Sequence, residues 1–84
     1  MKITTESGFT ADIDEAFKDD WEFVEAINAV ATGEPGSIVR LADAVLGESK
    51  EALKEHCKGD NGRVSAAMMD KEIFEIIRLT GKKS

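Results

Sequence analysis

In the stretch from Asp19 to Ala31, DDWEFVEAINAVA, apolar residues recur every three or four positions, the spacing of a helix rather than a strand. At about 3.6 residues per turn, Phe17, Trp21, Val24, Ile27 and Ala31 fall on one stripe, and Phe23 and Val30 widen it on one side. One neighbouring element does not cover that width, so Trp21 and Phe23 belong either to the core or to a groove for a partner. The acidic pairs Asp14-Glu15 and Asp19-Asp20 suit the positive end of a helix, which could begin at either pair, and Gly33 ends it. A second helix shows in Ile38, Leu41, Ala42, Val45 and Leu46, at i, i+3, i+4, i+7 and i+8, and stops at Gly47. Ser37 and Ser49 stand where they can cap the second and third helices, and the third carries Leu53 and Cys57 on one face. Val64 precedes a capping Ser65 and can staple to Met69; Met69, Ile73, Ile76, Ile77 and Thr80 then face inward on a last helix closed by Gly81. The tail Lys82-Lys83-Ser84 is expected to be loose.

Ahead of the helices the period shortens to two. Lys2-Ile3-Thr4-Thr5 and Phe9-Thr10-Ala11-Asp12-Ile13 are rich in β-branched residues and joined through Glu6-Ser7-Gly8, which predicts a hairpin with Phe9, Ala11 and Ile13 on its apolar face. An isolated hairpin is barely stable in water, so this one must lie on the helices. The expected fold is α+β and mostly helical: a single domain over 1–84, with a hairpin at 2–13 packed on four short helices at about 15–32, 36–46, 49–57 and 66–80. Its core is expected to contain Ile13, Phe17, Val24, Ile27, Leu41, Val45, Leu53, Ile73 and Ile77.

Charge changes this picture in the first half of the chain. Residues 1–34 hold nine acids against Lys2 and Lys18, a net of −7, whereas residues 35–84 hold eight acids against nine bases, a net of +1. The only Lys/Arg cluster is Lys82-Lys83, so direct nucleic-acid binding is not expected. An acidic half can be a solvated face, repel or mimic nucleic acid, or meet a basic protein. No apolar run approaches the roughly 20 residues of a membrane span, MKITTESGF lacks the order of a signal peptide, and Cys57 has no second cysteine to pair with. A soluble protein of a reducing compartment, without membrane contact, is the expectation.

Candidate chemistry adds little. His56 and Cys57 are adjacent, so they point to different sides of a helix and lack further metal ligands at suitable spacing; nucleophilic catalysis by Cys57 would need a base placed elsewhere. The loop from Cys57 to Met68 has the outline of a calcium-binding hand, yet with Gly62 sixth it puts Cys57 first and Met68 twelfth, where acids are required. No catalytic residue, metal or cofactor is expected, and the loop reads as a connector anchored by Val64.

The order SGFTADID, DDWEFVEAI, LADAVLGESKEALKEH and GDNGRVSAAMMDKEIFEI resembles the small tail assembly chaperones of long-tailed phages and prophages of Gram-positive bacteria, over nearly the whole chain. The resemblance implies a protein of the host bacterial cytoplasm, absent from the mature virion, that binds the tape measure protein and helps bring tail tube subunits to it. It also implies a longer frameshifted product, with which the Lys82-Lys83 pair is compatible, and self-association stays open. Trp21, Phe23 and Val30 beside Glu22 and Glu25 are the expected client-binding residues, since a holding chaperone needs apolar surface together with charge. The alternative is an acidic regulator that mimics nucleic acid to inhibit a DNA-binding host protein.

Overall fold

In the computed structural model, which describes residues 1–81, β1 (Lys2–Thr4) pairs antiparallel with β2 (Thr10–Asp12), Ile3 opposite Ala11. Gly8 makes the turn at φ +96°, a backbone that a side chain resists, and its N–H donates to the Thr5 carbonyl at 3.0 Å. Ile3, Phe9 and Ile13 are buried, and β1 lies on the last helix. Lys82, Lys83 and Ser84, and with them the expected loose tail, lie outside the described residues.

The helix expected over 15–32 is two elements. The Asp14 carboxylate accepts from the Ala16 N–H at 2.9 Å and starts a 3₁₀ helix, Glu15–Asp19. Asp20 then takes an extended backbone (φ −90°, ψ 126°), accepts from the Glu22 N–H at 2.9 Å, and starts α1 (Trp21–Ala31). Each acidic pair therefore caps its own helix. The interruption breaks the stripe that ran through Phe17 and Trp21, because the two residues no longer share one helical phase. Inward on α1 are Phe23, Ala26, Ile27, Ala29 and Val30, and the small, buried Ala26 and Ala29 let it lie close on α2 (Ser37–Leu46), its main neighbour. Val24, expected in the core, is exposed, as are Trp21 and Ala31. Gly33, at φ +76°, closes α1: its N–H donates to the Val30 carbonyl at 3.1 Å and that of Glu34 to Ala29 at 3.0 Å, the paired bonds of a Schellman motif.

Neither Ser37 nor Ser49 caps its helix. Gly36, left-handed at φ +77°, precedes α2, and the turn at Pro35-Gly36 brings the Glu34 carbonyl within 2.7 Å of the Ser37 hydroxyl, which donates to it. Glu48 precedes α3 (Ser49–His56) without a side-chain bond. Ser65 does cap α4 (Ala66–Gly81), accepting from the Met68 N–H at 3.2 Å, and Val64 and Met69 each pack against the core. Of the expected core, Ile13, Phe17, Leu41, Val45, Leu53 and Ile73 are buried, joined by Ile76, while Ile27 and Ile77 stand at its edge. The Lys18 amine donates to the Thr80 carbonyl, setting a cation at the negative end of α4. The fold is thus α+β and mostly helical, a hairpin on four helices, and among the described residues no helix is long and apolar enough to cross a membrane.

Candidate functional site

Capping by Asp20 starts α1 at Trp21, and packing against α2 and Phe17 decides which of its apolar residues meet water. Trp21 and Val30 are nine positions apart and point to opposite sides of the helix. Val30 packs on the core, and Trp21 is 69% exposed with Val24 beside it at 41%. Phe23 meets Phe17 edge to face, with ring centroids 4.9 Å apart. Of the five expected partner-binding residues, Phe23 and Val30 are therefore packing residues. Trp21, Glu22 and Glu25 remain on the surface, Val24 joins them, and among the described residues no ion pair engages either glutamate.

A second apolar surface was not foreseen. Ile38, Val39 and Ala42 of α2 face Val64, Met69 and Ile73 across a groove of about 310 Å³, with Lys50, Lys54 and Asp70 at its rim. The hydrogen bond and charge of Asp43 raise the Lys50 amine above its ordinary pKa. Val39, 57% exposed, lies outside the seam of α2, and that extra apolar residue was the available signal.

Beneath the hairpin turn, residues far apart in sequence form a polar chain. The Thr5 hydroxyl donates to Glu72, 2% exposed, at 2.6 Å; Ser7 Oγ lies 3.2 Å from Thr5 Oγ1 and 2.9 Å from His56 Nε2. Because the Thr5 hydrogen is committed to Glu72, Ser7 must donate to Thr5 and His56 must donate to Ser7. That direction is the reverse of the one in which a histidine activates a serine nucleophile. The chain instead ties the hairpin to α3 and α4, aided by the Glu6 N–H on Glu75 at 2.7 Å and by Phe9 packed against the His56 ring. Cys57 is buried under it, and burial, then the Glu72 carboxylate, push its thiol pKa up.

In the connector after α3, Asn61 accepts from the Arg63 N–H at 2.9 Å and the Gly59 N–H donates to the Arg63 carbonyl at 2.9 Å, so the Asn61 side-chain oxygen and the Arg63 carbonyl serve the turn itself. Among the described residues no group of three or more His, Cys, Asp or Glu is placed to hold a metal ion. No protein-family model matches the chain, and neither does any curated protein or solved structure.

Proposed function

We propose that this protein is a non-enzymatic assembly chaperone of a phage tail, acting in the cytoplasm of the host bacterium and absent from the finished virion. It binds the tape measure protein through the outer face of α1 and assists the recruitment of tail tube subunits. The observation that carries this reading is the exposed Trp21, held outward with Val24 on a rigid, capped helix. An exposed large aromatic in a patch with charged neighbours suits groove-type contact with an apolar stripe of a helical client, where a few anchors dominate affinity. The sequence resemblance supplies the identity of that client.

Co-expression with a tape measure protein of a long-tailed phage or prophage tests the proposal. The chain should raise the soluble yield of the client, and Trp21→Ala should remove most of the gain while leaving the helical circular dichroism unchanged. A client equally soluble without this chain defeats the chaperone reading. Competition against DNA for a host enzyme would then test the acidic-mimic alternative.

A further inference from the structure

On the exposed side of α1, Trp21, Val24, Asn28 and Ala31 form one row at i, i+3, i+7 and i+10, about 15 Å long at 1.5 Å per residue. Glu25 borders this row and Glu22 lies farther round on the same side, so the acids line one flank only. Among the described residues no cation forms an ion pair with either glutamate. Lys18 is drawn to Glu15 and the Thr80 carbonyl, and Arg40 shares a shallow cleft with Glu22 without forming an ion pair. Asp19 and Asp20 extend the exposed negative surface at the start of the helix.

From this arrangement we propose that the α1 face selects a basic amphipathic helix, one whose apolar stripe seats on Trp21 and Val24 while Lys or Arg residues along one flank meet Glu22 and Glu25. The inference rests on the holding reading above for the place of contact and adds the charge and register of the partner. The net charge of −7 over residues 1–34 draws a basic segment in and repels an acidic one, and the two glutamates then set its orientation. Three turns of one helix make a small contact, so the complex forms and releases readily, as a transient assembly step requires.

Trp21 is the only tryptophan and lies in the proposed contact, so its fluorescence reports occupancy directly. The probes are three synthetic helical peptides of one length, free of tryptophan, with identical apolar stripes flanked by lysine, by glutamine or by glutamate. With the full chain at low salt, the lysine peptide should move Trp21 emission to shorter wavelength and bind about tenfold more tightly than the glutamate peptide, the margin shrinking as salt is added. Glu22→Gln combined with Glu25→Gln should clearly narrow the spread of the three affinities and keep the emission shift. Equal binding of all three peptides by the unsubstituted chain overturns the charge selection and leaves the co-expression result standing. Absence of any shift overturns the contact itself. A shift that grows with protein concentration alone shows that a second copy occupies the face, which also overturns the proposal.

Discussion

Glu72 shows how much one hydroxyl decides. The carboxylate is buried, and the Thr5 hydroxyl is the donor that meets it, so Thr5→Val keeps the shape of the site and strips the acid of that hydrogen bond. The expected loss is about 1 to 3 kcal/mol, read as a lower denaturant midpoint at unchanged slope, and Thr5→Ser should recover most of it. The two aromatics of α1 give the opposite lesson. Phe23→Ala opens a gap against Phe17 and should cost about 2 kcal/mol, less than for a fully buried ring, whereas Trp21→Ala should stay within about 0.5 kcal/mol in the same titration. Equal losses would place Trp21 in the core and remove the candidate surface. Both residues read alike in sequence, as large aromatics on an acidic helix, because nothing local to either shows which one meets Phe17.

At the scale of elements, capping governs. Asp20 ends the 3₁₀ helix and begins α1, so the chain from Phe17 to Trp21 is not one continuous helix. Asp20→Ala should cost about 1 kcal/mol by loss of the bond to the Glu22 N–H, and Asp20→Asn should cost far less, because both Asp and Asn accept from the backbone. Thermal melts followed by circular dichroism separate the two variants. The caps themselves were legible: the acidic pairs, Gly33, Gly47 and Ser65 all stand where the sequence puts a helix end. Two acidic pairs in series, however, read as one helix with a choice of starts, whereas they start two helices. Only the extended backbone of Asp20 distinguishes these. Ser37 and Ser49 failed as caps for a related reason, since the turns before them already orient the chain and leave Ser37 to bond backward to Glu34.

For the whole molecule, Cys57 reports cooperative opening. Burial and Glu72 raise the folded-state pKa of its thiol, so the stability gained by keeping it protonated is complete below the ordinary thiol range and is lost as pH rises through that range toward the raised value. Denaturant midpoints should therefore fall as alkaline pH is approached, and Cys57→Ala should lack that part of the slope. Alkylation of the native protein should be slow and should accelerate with denaturant in step with global unfolding, since Cys57 is 1% exposed. The hairpin, the helix stops, the apolar seams of α2 and α4 and the surplus of acid in the first half are properties of short stretches, set by spacing, caps and turn residues, and these the sequence determined by itself; the break at Asp20 it did not. The sequence read α1 as part of one wide apolar stripe with Val24 in the core, and the tertiary structure decided otherwise: Ala26 and Ala29 are small enough to approach α2 and Phe23 finds Phe17, so Trp21 and Val24 are left to water. The burial of Glu72 was likewise decided only in three dimensions, because the hydroxyl that makes it tolerable stands 67 positions away in the chain.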